Sequence, residues 1–302
     1  MGIITSFGDQ AGHPVIDRAT CTVCGECAGI CPSGVLSRRD GEIRVDHSGG
    51  FDCIACGHCM MTCPTGSIAV TGRRLSPGDV TDLPSPERRA TSAQLEALML
   101  SRRSVRRFRD EEVPREAIDK VIAAAATAPM GIPPWEVGVT VFHGRDKVRG
   151  LARDTADAYE RLLEFFDGPA GFFFKRMMRK PARQRFDSFI LPLGRMVVEG
   201  RGRGTDDVLY DAPAALLFHA SPYGDGADAY IACTYAMVAA EAAGLGSCMI
   251  GCLPPVLARR KDLMRKHGVP DGNIPKLVLI LGYPAVRFRR AIRRPFLSVT
   301  DG

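Results

Sequence analysis

From residue 92 onward, apolar positions fall into alternating helical and strand periods. Leu95, Leu98 and Met99 recur at helical spacing in a segment that Ser92 is expected to cap. That helix stops near "SRRSVRRF" (101–108). Another opens at Pro114 and carries Ile118, Val121, Ile122 and Ala125 on one face. "WEVGVTVFH" (135–143), "AALLFHA" (214–220) and "KLVLILGY" (276–283) predict strands, and long helices are expected over 145–166 and 227–243, the latter ending at Gly244. "GLGSCMIG" (244–251) reads as a small-residue turn after that helix. Interleaved helices and strands predict an α+β or α/β domain around a small sheet.

The stretch "GRRLSPGDVTDLPSPERRATS" (72–92) holds three prolines and two glycines and is expected to be a linker. The predicted organisation is therefore an N-terminal domain over 1–75, a linker over 76–92 and a second domain over 93–302. A segment at 155–205 reads as a helical insertion, either a lid or a dimer element. The longest apolar run, 229–251, is broken by Glu241, so no membrane span is expected. The N-terminus lacks a basic region followed by an apolar stretch, so no secretion signal is read and a cytoplasmic location is expected.

Charge is uneven along the chain. The net charge is +6, yet residues 1–75 hold six Lys/Arg against seven Asp/Glu, leaving +7 for the remainder. No helix-turn-helix or aromatic RNA-binding signature accompanies the basic residues, so nucleic acid is not an expected partner. Residues 175–203 carry nine Lys/Arg against two acids, just after "FFDGPAGFFF". Two readings stay open there: a membrane-surface helix, or an insertion covering an active site or dimer surface.

Eight of the eleven cysteines fall into two runs, "CTVCGECAGICP" (21–32) and "CIACGHCMMTCP" (53–64). Both read C-x2-C-x2-C-x3-C-P. Bacterial two-cluster ferredoxins use this pattern, with each fourth cysteine serving the other run's cluster. The rule assigns Cys21, Cys24, Cys27 and Cys63 to one 4Fe-4S cluster, and Cys53, Cys56, Cys59 and Cys31 to a second. Gly25 and Gly57 let the loops turn, and Pro32 and Pro64 restrict the chain as it leaves. Structural zinc also uses C-x2-C pairs but needs only four ligands per site. His58 and Met60 are read as loop packing, and Cys233, Cys248 and Cys252 as small buried residues.

Three further spots carry candidate chemistry. Arg102, Arg103, Ser104 and Arg106 put three guanidinium groups and a hydroxyl within five residues. "GLGSCMIG" follows later, and "GYPAVRFRRAIRR" (282–294) carries five arginines. Arginine forks bind phosphate bidentately, so convergence of two such clusters would make a phosphate site. Solvated loops and a charged tail are the plain alternatives. No Ser/His/Asp or Cys/His signature is present, and no side chain is nominated as a catalytic acid or nucleophile. "GRGRG" (200–204) lacks the strand–turn–helix context of a dinucleotide fingerprint.

"RRSVRRF", "AAAATAPMGIPPW", "GLGSCMIG" and "LGYP…R" together resemble the nitroreductase family. With the cysteine runs, the chain resembles ferredoxin–nitroreductase fusions. The resemblance implies a two-cluster ferredoxin-like domain followed by a nitroreductase-like α+β domain that binds FMN. It gives Arg102, Arg103, Ser104 and Arg106 the FMN phosphate and ribityl chain, and Arg290 and Arg294, with Arg293 close behind, further phosphate contacts. It sets Met249, Ile250 and Gly251 beside the isoalloxazine ring. Many family members read "APSxxNxQPW", whereas "APMGIPPW" is two residues shorter and lacks the asparagine. Met130, Gly131 and Ile132 would then face the flavin through backbone groups. The family further implies a homodimer with FMN at the subunit interface. The electron donor would be external, such as reduced ferredoxin or transiently bound NAD(P)H, and the acceptor a small nitroaromatic- or quinone-like molecule. The second functional class is an electron-carrier or redox-sensing module without a small-molecule substrate.

Overall fold

The computed structural model describes residues 11–48, 52–131 and 135–301. Two compact units emerge. Of the described residues, unit 1 holds those up to Arg89, Met130, Gly131, Trp135, Glu136 and Tyr223–Asp225, and unit 2 holds the remainder.

Unit 1 contains β1 (His13–Ile16), α1 (Glu26–Gly29), β2 (Leu36–Arg39), β3 (Glu42–Val45), α2 (His58–Thr62) and β4 (Ile68–Thr71). β1 pairs with β4 antiparallel, His13 opposite Thr71 and Ile16 opposite Ile68. β2 and β3 form a hairpin with Leu36 opposite Val45. Its two-residue turn is Asp40-Gly41, both at positive φ, the turn whose twist suits adjoining antiparallel strands. Two small apolar clusters fill the unit: Leu36, Ile43, Ile68 and Cys27 in one, Ala55, Met60, Val70 and Leu75 in the other. Met60 is thus a packing residue, its sulfur accepting from the Val70 amide at 3.1 Å. Within this unit Trp135 Nε1 donates to the Ala55 carbonyl at 3.1 Å. Arg73 pairs with Glu136 at 3.0 Å, its side chain only 3% exposed.

Residues 76–90 are exposed and contain two short 3-10 turns, Pro77–Asp79 and Pro86–Arg88. Unit 2 then runs α3 (Ser92–Ser101), α4 (Arg115–Ala125), β5 (Val137–His143), α5 (Arg145–Asp167), α6 (Pro169–Met177), α7 (Lys180–Arg185), α8 (Leu191–Arg203), β6 (Ala214–Ala220), α9 (Gly226–Ala242), β7 (Gly246–Ile250), α10 (Pro254–Leu257), α11 (Lys261–Lys266) and β8 (Ile274–Gly282). The cap of α3 is Thr91 rather than Ser92: Thr91 Oγ1 accepts from the Gln94 amide, and the Gln94 side chain reaches back to the Thr91 amide. α3 buries no residue, so its apolar stripe faces outward in this single chain. β5 starts two residues later than its sequence pattern, because Trp135 sits at φ 74, outside the extended region.

One sheet organises unit 2, in the order β5-β6-β8-β7 and antiparallel throughout. Side chains alternate across it. Ala215, Leu217, Val278 and Ile280 meet α5 and α10 residues such as Leu151, Tyr159 and Leu257 on one face. Leu216, Phe218, Leu277 and Leu279 meet Ile118 and Val121 of α4 and Ala229, Cys233 and Ala236 of α9 on the other. Burial on both faces explains why β6 and β8 read as unbroken apolar runs. The 244–251 stretch departs from its reading as a turn. Gly244 does end the helix, at φ 74, but residues 246–250 continue as edge strand β7. Among the described residues, no helix is long and apolar enough to cross a membrane.

His219 is one polar group inside this core. It is 4% exposed, and its Nδ1 accepts from the Asn273 side-chain amide at 2.9 Å. A Cβ on the opposite residue, Gly138, would fall 2.1 Å from the ring, so only glycine fits there. Burial lowers the His219 pKa below the ordinary 6.5, disfavouring the imidazolium. Burial also lowers His267, against the pull of Asp154 at 2.7 Å. The unfolded chain therefore binds protons that the folded chain refuses once pH drops below 6.5. Stability present above that pH is lost below it. Thermal unfolding followed across this range should show the melting temperature falling on acidification, with a shallower fall in His219→Gln.

Candidate functional site

The two cysteine runs fold alike. In each, the residue two after the first cysteine and the glycine four after it take left-handed conformations: Val23 at φ 56 and Gly25 at φ 92, Ala55 at φ 53 and Gly57 at φ 78. A β-branched residue at positive φ is strained. Alternation of this kind turns successive backbone N–H groups inward, the concave arrangement that anions and iron–sulfur groups occupy. A short helix follows each glycine, α1 after Gly25 and α2 after Gly57.

Two cavities open inside these loops. One is ringed by Cys21, Cys24, Cys27 and Cys63, with Ile16, Ile43 and Ile68 behind them. The other is ringed by Cys31, Cys53, Cys56 and Cys59, with Leu36 and Val70 behind. Each cavity holds three thiols of one run and the fourth of the other. Four thiols lining one cavity are the donor set that a 4Fe-4S cluster takes.

The thiols differ in electrostatics. Burial raises Cys27 and Cys53 and pushes Cys59 up to about 12, and in each case neighbouring sulfurs add to the shift. Cys31 and Cys63 go the other way. Burial raises each, but hydrogen bonds outweigh it: Ser33 and nearby backbone at Cys31, Thr65 and nearby backbone at Cys63. Ser33 Oγ lies 3.5 Å from Cys31 Sγ, Thr65 Oγ1 lies 3.7 Å from Cys63 Sγ, and the Ser67 amide donates to Cys63 Sγ at 3.2 Å. Ser33 and Thr65 escaped the reading of the sequence, which stopped at the prolines. Their signal was present in the paired "CPSG" and "CPTG".

In unit 2, three separated motifs meet at the β7 edge. Ser104 bridges Ser247 in parallel, and the Val105 amide donates to the Ser247 carbonyl at 2.9 Å. The Arg109 amide donates to Tyr283 O at 2.9 Å, and the Ala285 amide to Arg107 O at 2.9 Å. Glycines allow the approach: a Cβ on Gly246 would fall 2.8 Å from Val105, and one on Gly282 2.6 Å from Phe108. Arg103 Nη1 donates to Arg102 O, whereas Arg103 Nη2 is buried without a partner, as is Ser247 Oγ. Two unsatisfied buried polar atoms on adjoining segments fit a phosphorylated ligand. Ser104 is exposed and Arg102 half-buried.

Arg106 goes elsewhere. Its guanidinium lies 5.7 Å from the centre of the Tyr210 ring, in the wall of a cavity of about 580 Å³ that Arg149, Arg153 and Arg201 also line. Tyr210 and Asp211 are consecutive left-handed residues at that wall, φ 56 and 52. Met249 is half-buried and Ile250 buried on β7, and Gly251 is exposed just after it. Arg290, Arg293 and Arg294 lie in the exposed irregular segment after β8 and make no ion pair among the described residues. Met130 and Gly131 fall in unit 1, and Ile132 lies outside the described residues.

Comparison with known proteins reports on both units. The 4Fe-4S dicluster domain model matches residues 13–65. A Methanothermobacter thermautotrophicus protein described as an NADH dehydrogenase/NAD(P)H nitroreductase is 27% identical over 199 residues, 63% of this chain and 77% of that protein. The chloronitrobenzene nitroreductase of Comamonas testosteroni is 29% identical over 138 residues, 42% of this chain and 59% of the relative. A Bacteroides fragilis nitroreductase crystallised with bound FMN is similar at a TM-score of 0.49 and 18% identity, over 69% of this chain and 99% of that one. The nitroreductase family model matches residues 99–283, more than half of the chain; it takes in the first two of the motifs that meet at the β7 edge and ends at Tyr283, two residues into the third. The chain therefore belongs to the nitroreductase family of oxidoreductases, with a 4Fe-4S dicluster domain ahead of its nitroreductase region.

Proposed function

We propose that this oxidoreductase passes single electrons between two 4Fe-4S clusters and an FMN, and that its substrate is a small nitroaromatic- or quinone-like acceptor. The observation that carries this reading is the pair of four-thiol cavities with exchanged fourth cysteines, joined in one chain to a nitroreductase region. Iron–sulfur clusters exchange one electron at a time, and flavin supplies the step to two-electron chemistry.

The protein's own contribution is binding and tuning. Arg103 and Ser247, each with an unpaired buried polar atom, would hold the flavin phosphate end, with Arg102 and Ser104 beside them. Met249, Ile250 and Gly251 would line the ring. Ser33, Thr65 and the Ser67 amide would donate to cluster sulfurs, a recognised lever on cluster potential. The cavity beside Arg106 is of small-molecule size. A homodimer is part of the proposal, supported by the exposed Leu95 and Met99 on α3 and Tyr230, Ile231 and Tyr235 on α9.

Anaerobic purification with iron, sulfide and FMN quantified tests the reading. Reduced ferredoxin and NAD(P)H should then each be tried as donor, followed at the flavin and cluster bands. Reoxidation by small nitroaromatics or quinones is expected. Zinc in place of iron, absence of flavin, or reoxidation by protein partners only would defeat it, the last in favour of an electron carrier. Cys31→Ser should cut iron and sulfide by about half, because one cavity keeps all four thiols. Arg103→Ala should release FMN while leaving the iron content unchanged, with flavin affinity down about tenfold or more for a lost charge-assisted contact.

A further inference from the structure

The helices between α5 and α8 carry a surface that the proposed redox reading leaves unassigned. Residues 168–186 contain six Lys/Arg and no acid. The segment is anchored from beneath by aromatic packing. Phe166 stacks with Phe186 at 5.0 Å between centroids, and Phe174 meets Phe165 and Phe166 edge-on. Gly171 lies against the α5 terminus so closely that a Cβ would fall 2.4 Å from the Phe166 Cα. With Gly171 inward, the roughly 100° turn per helical residue sends Phe173 and Met177 to the opposite side of α6, flanked by Phe172 and Arg176. Their exposure agrees: Phe172 66%, Phe173 65% and Met177 87%.

The charges around this apolar ridge are largely unneutralised. Lys175 and Arg183 share one carboxylate, Asp187, at 3.4 and 3.6 Å. Arg176, Arg179, Lys180 and Arg185 make no ion pair among the described residues. This complementarity selects among occupants. A second copy packed isologously on the ridge would set these cations against their own images, which like-charge repulsion opposes. An anionic lipid surface answers both features: headgroups pair with the cations while Phe and Met side chains enter the acyl boundary. The long Lys and Arg stems let their heads reach the headgroups from beside the ridge.

We propose that the face of α6 and α7 bearing Phe172, Phe173, Met177, Arg176, Arg179 and Lys180 docks onto the anionic surface of a lipid bilayer. The docking is peripheral and independent of the redox reading above. The exposed tail with Arg287, Arg289, Arg290, Arg293 and Arg294 is a second cationic surface, so adsorption by charge alone would not identify the α6 ridge.

The test is vesicle flotation of the full, cofactor-loaded chain. Vesicles of phosphatidylserine and phosphatidylcholine in equal parts are compared with phosphatidylcholine alone. Binding to the mixed vesicles only, weakened by added salt, is expected. Arg176→Glu with Lys180→Glu should lower partitioning about tenfold or more. Phe173→Ser with Met177→Ser should lower it about tenfold while leaving the salt dependence in place. Unchanged iron and FMN contents and melting temperature show that these surface variants fold. Equal binding to both vesicle types overturns the proposal, as does wild-type binding by both variants, which would assign adsorption to the tail. Loss of oligomer mass by light scattering in the ridge variants would assign the face to a second copy. Displacement of the vesicles by a stoichiometric single-stranded oligonucleotide would assign it to nucleic acid.

Discussion

Cys31 leaves its own run to close the cavity of the other, and Cys63 does the reverse. Neither loop can complete a four-thiol set alone, although the runs begin thirty-two residues apart. The hairpin β2–β3 and the pair β1–β4 hold the loops in register but bury only two small apolar clusters. Cores of that size leave a short unit marginal without a staple. The loops also carry left-handed Val23 and Ala55, costing on the order of 1–2 kcal/mol each. Metal–thiolate bonds would offset that strain and become part of the folding free energy. On this reading the exchange of cysteines is at once the site and the main tie of unit 1.

Unit 2 solves the opposite problem. Its sheet is buried on both faces, so the fold stands on an ordinary core and leaves its β7 edge open to the segments that meet there. The "RRSVRRF" segment meets that edge through an isolated β-bridge, Ser104 to Ser247, which satisfies backbone groups but leaves Arg103 Nη2 and Ser247 Oγ unpaired. An unsatisfied buried polar atom costs about 1–3 kcal/mol. A ligand that supplies the missing acceptor recovers that cost, which ties affinity to the edge geometry more than to net charge.

Much of this was legible because it depended on periodicity or spacing. The cysteine runs carried the spacing of their own exchange, α4 and α5 follow a helical apolar period, and the length and flanks of the apolar runs separate β6 and β8 from helices. What escaped depended on tertiary neighbours. "GSCMI" has the small residues of a turn and becomes a strand because Gly246 lets Val105 close on it. Trp135 has strand-like flanks yet adopts φ 74, its indole donating to Ala55 across 80 positions of sequence. Ser33 and Thr65 differ: each meets a sulfur only two residues away, a local contact whose signal lay in the paired "CPSG" and "CPTG".

Arginine shows the limit most sharply. Local sequence singles out Arg103, Arg106 and Arg290 as cations able to hold a phosphate, but it does not say which arginines the fold will neutralise. Carboxylates nearby divide them. Arg145 and Arg149 converge on Asp211, and Arg201 is claimed by Asp157 and Glu160, so three guanidiniums serve the fold. Arg103 and Arg106 make no ion pair among the described residues, although Asp206, Asp207 and Asp211 line the same cavity as Arg106. One turns its free nitrogen inward at the β7 edge, and the other stacks on Tyr210 in the wall of a cavity. A charge-assisted contact to a ligand is strong only where the protein has withheld its own counter-ion. Arg106 shares its cavity with Asp206, Asp207 and Asp211, whereas Arg103 keeps a buried nitrogen without a partner, so Arg103 would be the stronger anion ligand, a difference of folded neighbourhood that no single motif encodes.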